Sequence, residues 1–421
     1  MLLGAIADDL TGATDLALML SREGMRTIQV IGVPSPGFDA GDAQAVVIAL
    51  KSRTIPAAEA VDLSMQALAW LKAAGAGQIL FKYCSTFDST AEGNIGPVTE
   101  ALMQALGTDL TIICPAFPAN GRTIYNGHLF VGNQLLSDSP MKDHPLTPMT
   151  DSSLIRLMAS QSSLPVGLVA HDVVRKGASA IGQAYVAARA KGERVLVVDA
   201  ITDEDLRSIG EASADLTLLT GGSGIAIGIP ENFRRAGAMS RSATPSAFPA
   251  PKGRSVIIAG SCSKATRGQI ETAIQSGTPS LKVDPLEIVS GAITVSQAVD
   301  WIVSQTERVP LLYSSADPEE VRQAQSRLGR ERAGAVVEHF LAEVAVALRA
   351  RGFTRFLVAG GETSGAVVGA LSVPALFIGP EIDPGVPWTL SLGDAQPVAL
   401  ALKSGNFGAS DFFLKAWDLL Q

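Results

Sequence analysis

The stretch Ile6-Ala7-Asp8-Asp9-Leu10-Thr11-Gly12-Ala13-Thr14-Asp15 decides the fold. Residues 2–7 form a short apolar run, typical of a strand that is buried on both faces, and this run ends at two adjacent carboxylates. A helical pattern then follows through Leu16, Met19 and Leu20. The stretch therefore predicts a strand, a tight turn and a helix, which is the repeating unit of an α/β sheet.

Asp8 and Asp9 stand at the carboxyl end of this predicted strand, where the ligands of open α/β sheets bind. Successive side chains of a strand point to opposite faces, so one carboxylate is expected to face the ligand crevice. The other is expected to cap the following helix, because Asp is a favoured N-cap residue. The alternative is that both carboxylates only cap and solubilise the turn.

Length and composition indicate two α/β domains. A chain of 421 residues is too long for one ordinary core, so two domains of about 200 residues are expected. Hydrophobic residues make up 47% of the chain, which is enough for large cores and argues against disorder. The 41 glycines suit tight turns between strands and helices.

Apolar runs alternate with helical patterns along the first half, which predicts a mostly parallel sheet with helices on its faces. The stretch 114–150 breaks this rhythm, since it is rich in proline and has no helical period. We expect it to be a long functional loop or a lid. The predicted strands of this half are 27–32, 45–49, 78–83, 110–113, 166–169, 194–198 and 216–219, with helices such as 57–74 and 178–190 between them.

A segment rich in Ser and Pro divides the chain, because that composition resists regular structure. We place a linker at 239–252 between domains at 1–238 and 253–421. A second mostly parallel α/β unit follows, in which 319–351 is one long helix or a broken pair of helices. Its predicted strands are 255–260, 281–283, 310–313, 355–359 and 375–378, with a last run at 397–402.

Charge and cysteine content exclude several classes of protein. The net charge of −8 offers no basic surface for nucleic acid or anionic lipid. The amino terminus has no basic region of the kind that opens a signal peptide, and no apolar run approaches the ~18 residues of a membrane span. Three separated cysteines without a Cys-x-x-Cys pair suit a reduced, cytoplasmic protein in which they are packing residues.

Three glycine-rich turns follow predicted strands at 260–263, 360–365 and 405–408. Glycines at such positions let backbone N–H groups approach a phosphate, and the helix dipole adds a favourable field. Ser and Thr hydroxyls can bind phosphate there, and Glu362 can support Mg²⁺ through water. One such turn alone is as well explained by ordinary chain reversal, but three in one domain favour a nucleotide pocket.

Other signatures of nucleotide binding and hydrolysis are absent from the sequence. There is no G-x-x-x-x-G-K-[ST], so a P-loop enzyme is excluded. Gly222, Gly224 and Gly228 nearly match the dinucleotide fingerprint, but there is one residue too many before the last glycine. The acidic residue that would bind the ribose about 20 positions later is also missing, which disfavours a dehydrogenase. There is also no H-E-x-x-H zinc motif and no G-x-S-x-G nucleophile elbow.

The first half also has polar residues suited to an acid that bears a hydroxyl. Arg53 follows one predicted strand and can hold a carboxylate through two parallel hydrogen bonds, while Lys82 ends another strand and supplies a point charge. Asp8 or Asp88 can orient or deprotonate a hydroxyl. The alternative is that Arg53 and Lys82 form structural ion pairs with Asp8 and Asp88.

Several motifs together resemble the four-carbon acid sugar kinases, and they span nearly the whole chain. In the threonate and erythronate branches of this family, Asp-Ser-Thr precedes Leu-Arg-Gly. Here Asp88-Ser89-Thr90 precedes Ala91-Glu92-Gly93, which matches the 3-oxo-tetronate branch. The matching segments are Ile6 to Ala13, Lys51-Ser52-Arg53-Thr54, Phe81 to Thr90, Gly93-Asn94-Ile95-Gly96-Pro97, Cys114-Pro115-Ala116-Phe117-Pro118, His144 to Asp151, Gly360 to Gly365 and Lys403 to Phe413.

This resemblance implies an amino-terminal sugar-acid domain, a carboxy-terminal ATP domain and a cleft between them that closes to exclude water. It implies that ATP, with Mg²⁺, phosphorylates the 4-hydroxyl of 3-oxo-tetronate, and it makes a homodimer plausible. No metal ligand is assigned. The expected residues are Asp8 and Asp88 as catalytic groups, with Asp8 ranked first; Asp9, Arg53, Lys82 and Ser89 for the acid; and Ser261, Ser263, Gly360, Gly361, Glu362, Thr363 and Gly405 for ATP.

Three alternatives remain open at this stage. Within the family, the substrate can be D-threonate or D-erythronate rather than the 3-oxo acid. A non-catalytic sugar-acid binding protein would also have two α/β lobes, but such proteins normally need export. A nicotinamide-dependent dehydrogenase is disfavoured by the missing ribose-binding acid.

Overall fold

The computed structural model describes residues 1–144, 147–240 and 248–420. The chain divides into two compact units, Met1–Pro245 and Ser246–Gln421. Part of the predicted linker, residues 241–247, lies outside the described residues, as do Pro145 and Leu146.

The first unit has a parallel sheet in the order β2-β3-β1-β4-β11-β5-β10-β9, with helices between its strands. The strands of this sheet are β1 Leu3–Ala7, β2 Thr27–Ile31, β3 Ala45–Ala49, β4 Gln78–Lys82, β5 Thr111–Cys114, β9 Val166–Val169, β10 Val195–Val198 and β11 Leu218–Gly221. The helices are α1 Leu10–Arg22, α2 Ala57–Ala73, α3 Ile95–Leu106, α4 Leu154–Gln161, α5 His171–Val174, α6 Ala178–Ala190, α7 Asp203–Ala212 and α8 Ile229–Arg235.

The opening strand occupies the middle of this sheet. All five residues of β1 are buried, because helices cover both faces of a parallel sheet. Ala7 pairs with Ala49 of β3 on one side and with Lys82 of β4 on the other. The residues that follow β1 and β3 and the end of β4 therefore meet at the same carboxyl edge.

The second unit has a mixed sheet in the order β13-β14-β12-β15-β18-β17-β16, in which β17 runs antiparallel to both of its neighbours. Its strands are β12 Arg254–Ala259, β13 Ser280–Lys282, β14 Leu311–Tyr313, β15 Phe353–Ala359, β16 Ala375–Asp383, β17 Val386–Leu392 and β18 Ala399–Lys403. Its helices are α9 Lys264–Gln275, α10 Pro285–Ser290, α11 Val295–Ser304, α12 Pro318–Leu328, α13 Arg330–Ala350, α14 Gly361–Ala370 and α15 Phe412–Lys415.

The predicted fold class, two α/β units with mostly parallel sheets, is confirmed. The predicted strands are present, and their ends are shifted by a few residues. The stretch 319–351 is a pair of helices rather than one, because the chain breaks at Gly329, whose φ of 82° is left-handed.

The prediction of a long irregular loop over 114–150 is wrong in its middle. A three-stranded antiparallel sheet forms there from β6 Arg122–Tyr125, β7 His128–Val131 and β8 Gln134–Leu135. Asn126 and Gly127 make the first turn with φ values of 48° and 71°. An Asn-Gly pair between alternating residues is a strong hairpin signal, and the prolines around it obscured that signal.

Strand β17 was not predicted. Pro387 lies inside it, and a proline within an apolar run argues against a central strand. The strand forms because Trp388 and its neighbours are buried in the core of the second unit, where the Trp388 indole donates a hydrogen bond to the Ala416 carbonyl. Within the described residues, no helix combines the length and apolar character needed to cross a membrane.

Candidate functional site

The two carboxylates after β1 both bind Arg53, and only Asp9 also caps the following helix. Asp9 is the N-cap of α1 and accepts a hydrogen bond from the Gly12 amide at 3.1 Å. Asp8 is only 3% exposed and accepts two hydrogen bonds from Arg53, one on each oxygen, both at 2.8 Å. The prediction that one carboxylate caps the helix is confirmed for Asp9.

Arg53 lies within 4 Å of three carboxylates at the carboxyl edge of the sheet. Besides Asp8, its Nη2 contacts Asp9 Oδ1 at 2.7 Å, and its Nη1 lies 3.7 Å from Asp88 Oδ2. The Asn94 side chain holds the Arg53 loop in place by donating to the backbone carbonyls of Ser52 and Arg53. Arg53 thus makes the ion pair with Asp8 that the structural alternative predicted.

Burial and neighbouring charges shift the pKa values of Asp8 and Arg53. Burial raises the pKa of Asp8 above its ordinary value, although Arg53 acts in the opposite direction. Burial also acts to lower the pKa of Arg53, but Asp8 and Asp9 outweigh it and hold the guanidinium charged. Buried ionisable groups whose pKa values are shifted often mark functional sites, so this edge of the sheet is a site candidate.

The backbone at Asp88 has an unusual conformation. Phe87 and Asp88 have φ values of 65° and 37°, in the left-handed region that non-glycine residues seldom adopt. The Thr86 hydroxyl donates to Asp88 Oδ1 at 2.6 Å and fixes the carboxylate. Such strain is found where a fold holds a side chain for function, so Asp88 is a strong site candidate.

Lys82 ends β4 and is 3% exposed. A Cβ atom added at Gly12 would come within 2.5 Å of Lys82 Nζ and would also clash with Asp9 Oδ1. Lys82 therefore lies against the first turn of α1, beside the capping carboxylate. Its charge also lowers the pKa of Asp8, although less than Arg53 does.

A cavity of about 210 Å³ opens beside these groups. Asp88 and Ser89 line it together with Arg53, Asn94 and Thr147, while Asp8 lies beside Arg53 outside this lining. Two residues that sequence reasoning missed support this wall. Gln161, at the end of α4, donates to Ser89 Oγ at 2.9 Å, and His144 Nδ1 accepts from the Thr147 amide.

The three glycine turns of the second unit meet at the carboxyl ends of β12, β15 and β18. The Gly260 amide donates to the Ala359 carbonyl, and the Gly360 amide donates to the Lys403 carbonyl. Ser263 caps α9, and its hydroxyl also donates to the Gly405 carbonyl.

The predicted ATP residues divide into two groups. Ser261 lines a cavity of about 410 Å³ together with the run from Gly360 to Thr363. Ser263 and Gly405 contact each other and support Ser261, because a Cβ atom at Gly405 would lie 2.5 Å from Ser261 Oγ. Cys262 lines the same cavity and is exposed, which contradicts the expectation that all three cysteines are packing residues.

Lys403 is a buried cation behind the Gly405 turn that sequence reasoning missed. Its Nζ donates to Thr266 Oγ1 at 2.9 Å and to the carbonyls of Ser404 and Gly405 at 3.0 and 3.1 Å. Burial lowers the pKa of Lys403 to about 8. In the sequence, Lys403 stands at the end of a buried strand and opens the matching segment Lys403 to Phe413, but neither pattern assigned it a role.

Among the described residues, no cluster of three His, Cys, Asp or Glu side chains is arranged to hold a metal ion. Mg²⁺ in kinases commonly keeps several waters and binds to substrate phosphates with one or two carboxylates. The wall of the larger cavity, with Glu362 beside the glycine turns, fits that mode of binding.

Comparison with known proteins shows the family of this chain. A family model described as a sugar-binding N-terminal domain matches residues 3–229, and one described as a nucleotide-binding C-terminal domain matches residues 256–413. The 3-oxo-tetronate kinase of Cupriavidus necator is 56% identical over 417 residues, which cover 99% of this chain and 96% of that protein. The chain belongs to the four-carbon acid sugar kinase family.

A further relative and two solved structures are similar to this chain over nearly its whole length. The 3-oxo-tetronate kinase of Pseudomonas fluorescens is 56% identical and covers 99% of this chain and 96% of its own length. A solved structure from Salmonella typhimurium, described as a putative tRNA synthase, has a TM-score of 0.91 at 43% identity and covers 98% of each chain. One from Haemophilus influenzae has a TM-score of 0.84 at 42% identity, over 99% of this chain and 100% of the other.

Proposed function

We propose that this chain is an ATP-dependent kinase that phosphorylates the 4-hydroxyl of 3-oxo-tetronate to give 3-oxo-tetronate 4-phosphate. The observation behind the proposal is 56% identity over 99% of the chain to a curated 3-oxo-tetronate kinase. We assign residues 1–238 to the sugar acid, 253–421 to the nucleotide and 239–252 to the linker. The two matched domain families support this assignment of the acid and the nucleotide to separate domains.

For the nucleotide, the proposal places the triphosphate at the three glycine turns. Backbone amides and the hydroxyls of Ser261 and Thr363 bind phosphate oxygens, and Glu362 supports Mg²⁺ through water. Gly360 and Gly361 allow close approach of the backbone, while Ser263 and Gly405 fix the shape of the turns. These groups would neutralise the charge of the transferring phosphoryl group.

For the acid, the proposal uses Arg53 and Lys82 as the cations that attract the substrate carboxylate. Two of the three guanidinium nitrogens already bind Asp8 and Asp9, and the third, Nη1, lies 3.7 Å from Oδ2 of Asp88, which lines the cavity with Arg53. Asp9 also accepts a hydrogen bond from Nη2 of Arg53, and Ser89 offers its hydroxyl to a substrate oxygen. The sugar acid would then occupy the 210 Å³ cavity.

For the catalytic group, the geometry favours Asp88 over Asp8. Both oxygens of Asp8 accept hydrogen bonds from Arg53, so Asp8 acts as a positioning residue in this proposal. Asp88 lines the cavity and has an oxygen 3.7 Å from Arg53. Phosphoryl transfer depends mainly on positioning, and an aspartate that orients the attacking hydroxyl is a recurring part of it. The proposal therefore ranks Asp88 before Asp8, whereas the sequence analysis ranked Asp8 first.

The first test is ADP release by the purified protein with Mg-ATP and a panel of four-carbon acids. The panel contains 3-oxo-tetronate, D- and L-threonate, D-erythronate and a control without acid. We expect turnover mainly with the 3-oxo acid. Turnover mainly with threonate or erythronate would place the chain in another branch, and acid binding without ATP binding would support a non-catalytic binding protein instead.

A variant pair tests the catalytic group. Asp88→Asn should lower kcat by about 10²-fold or more, in the range of a lost acid–base group, while the Kd for ATP stays unchanged. Asp8→Asn should act mainly by raising the KM for the acid, because it releases Arg53. The opposite pattern would restore Asp8 as the group that meets the hydroxyl.

The proposal also includes a cytoplasmic location, where ATP is available, and a homodimer. The homodimer is suggested by the family and by the long helix α13, which exposes Val346. Light scattering coupled to size exclusion gives the mass in solution. A mass near the 43.7 kDa of one chain would exclude the dimer.

A further inference from the structure

Gln161, the last residue of α4, links the loop that carries Ser89 to the first turn of α3. Its side-chain oxygen accepts a hydrogen bond from the Gly96 amide at 2.9 Å. Its Nε2 donates to the Thr90 carbonyl and also to Ser89 Oγ, the latter at 2.9 Å. A single side-chain amide therefore binds two separate segments beside the 210 Å³ cavity.

The two main-chain partners of Gln161 determine which end of its amide faces Ser89. The Gly96 N–H group can only donate and the Thr90 carbonyl can only accept, so the side-chain oxygen faces Gly96 and the nitrogen faces Thr90. The nitrogen that binds Thr90 is the same one that reaches Ser89. In this contact Gln161 is therefore the donor, and the Ser89 hydroxyl is the acceptor.

Close packing keeps Gln161 in this position. A Cβ atom added at Gly96 would lie only 2.5 Å from Gln161 Cβ, so α3 approaches α4 closely at this point. The next residue, Ser162, donates from its hydroxyl to Glu100 of α3 at 2.7 Å and fixes the end of α4. The amide is held on both sides, so the direction of its hydrogen bond to Ser89 is a fixed property of the fold.

The Ser89 hydroxyl retains its own hydrogen for a ligand. A hydroxyl oxygen that accepts from an amide nitrogen still has one O–H group to donate. Ser89 is only 4% exposed, and it lines the 210 Å³ cavity together with Asp88. The hydrogen can therefore be donated to an acceptor on the acid that occupies this cavity.

The C3 oxygen of the acid is the atom that differs between the possible substrates. In 3-oxo-tetronate it is a ketone oxygen, which accepts hydrogen bonds and cannot donate, whereas in threonate and erythronate it belongs to a hydroxyl that can do both. C3 is bonded to C4, whose hydroxyl is assigned to Asp88. Because Ser89 follows Asp88 in the chain and lines the same cavity, an acid with its 4-hydroxyl at Asp88 would bring its C3 oxygen next to Ser89.

We infer that Gln161 is a positioning residue for substrate choice, because its hydrogen bond to Ser89 directs the Ser89 hydrogen to the C3 ketone oxygen of the acid. This inference rests on the proposed function, since it needs the acid in the cavity with its 4-hydroxyl at Asp88. Two hydroxyls in contact carry two hydrogens, and only one can lie between them. A C3 hydroxyl would therefore leave a buried hydrogen that needs a further acceptor, which disfavours threonate and erythronate.

Gln161→Glu tests the inference by reversing the contact. A carboxylate has no hydrogen to donate and accepts the Ser89 hydrogen instead, so the ketone loses its donor. We expect the ratio of kcat/KM for 3-oxo-tetronate to kcat/KM for D-threonate or D-erythronate to fall about tenfold, while the KM for ATP stays within twofold. Gln104→Glu makes the same change of charge at an exposed position of α3, and this matched control should keep the wild-type ratio.

Ser89→Ala provides a second route that does not alter the packing between α3 and α4. It removes the hydroxyl itself and should lower the preference for the 3-oxo acid by a similar factor. Adding Gln161→Glu to Ser89→Ala should cause no further loss of preference, because Gln161 acts through Ser89. An unchanged preference in both single variants would overturn the inference, and so would equal losses of kcat/KM on all three acids.

The kinetics of the wild type separate this inference from the proposed function. If the wild type phosphorylates 3-oxo-tetronate best and both Gln161→Glu and Ser89→Ala keep that preference, only the role of Gln161 is wrong. If the wild type phosphorylates none of the three acids, or prefers threonate or erythronate, both proposals are wrong.

Discussion

Arg53 binds Asp8 through two parallel hydrogen bonds, from Nε to Oδ2 and from Nη2 to Oδ1, both 2.8 Å long. The two residues are 45 positions apart in sequence and are brought together because β1 and β3 are neighbours in the sheet. This pair fixes the guanidinium and directs its remaining nitrogen, Nη1, toward Asp88. The substrate site proposed above is therefore built on an internal ion pair.

Breaking the ion pair between Arg53 and Asp8 should lower the free energy of unfolding. Arg53→Gln leaves the Asp8 carboxylate buried without its partner, and loss of one member of a buried pair typically costs about 3–5 kcal/mol. Urea unfolding would measure the change in the free energy of unfolding. Asp151→Asn is the matched control, because it breaks a two-bond pair with Arg156 that is largely exposed, so its effect should be much smaller. Equal losses in the two variants would contradict the role of burial.

Gly12→Ala should damage the acid site although alanine favours helices. The added methyl group would meet Lys82 Nζ at 2.5 Å and clash with the Asp9 carboxylate. We expect the KM for the acid to rise at least tenfold while the Kd for ATP is unchanged. Gly182→Ala in α6 is the control, since nothing lies within 4 Å of its added atom, and it should stabilise the fold by about 1 kcal/mol or less. A normal KM in Gly12→Ala would show that Lys82 can move without loss.

Gly405→Ala should weaken the binding of ATP instead of the acid. Its methyl group would lie 2.5 Å from Ser261 Oγ and 3.1 Å from Ser263, so the turn that supports the phosphate site must shift. The expected result is a KM for ATP raised at least tenfold with the KM for the acid unchanged. Gly369→Ala in α14 has open space around the added atom, lies outside the glycine turns and serves as the control. An effect on the acid alone would contradict the assignment of this turn.

Lys403 should make stability depend on pH above neutrality. Burial lowers its pKa from 10.5 to about 8, so below pH 8 the lysine is protonated in both the folded and unfolded states. As the pH rises from about 8 to 10.5, the unfolded state retains the proton longer than the folded state, and the free energy of unfolding rises. The rise attributable to Lys403 is at most about 3 kcal/mol.

Unfolding of wild type and Lys403→Met at several pH values would measure this contribution. As the pH rises from about 8 to 10.5, the free energy of unfolding of the wild type should increase relative to that of Lys403→Met. Lys176→Met, at an exposed position of the first unit, is the control and should show no such shift. Parallel curves for wild type and Lys403→Met would show that the amine is not desolvated as the structure indicates.

Local patterns in the sequence determined the α/β class, the positions of most strands and the turns at which ligands can bind. The capping role of Asp9 was predictable because an N-cap depends on a few neighbouring residues. The glycine turns at 260–263 and 360–365 were predictable for the same reason, and the resemblance to the kinase family drew on the same motifs. The Asn126-Gly127 hairpin was present in the sequence as a signal, but the prolines around it led to a wrong prediction of an irregular loop.

Only the tertiary structure decided how distant residues pair and which of them face a cavity. The sequence left Arg53 open as a substrate ligand or an ion-pair partner, and strand order settled its contact with Asp8. Gln161 reaches Ser89 across 72 positions, and no local pattern could indicate that contact. Ala324 of α12 and Ala333 of α13 likewise line the 410 Å³ cavity only because their two helices meet in the fold. Local patterns record which backbone conformations a segment favours, whereas burial and side-chain partners depend on every segment that packs around it.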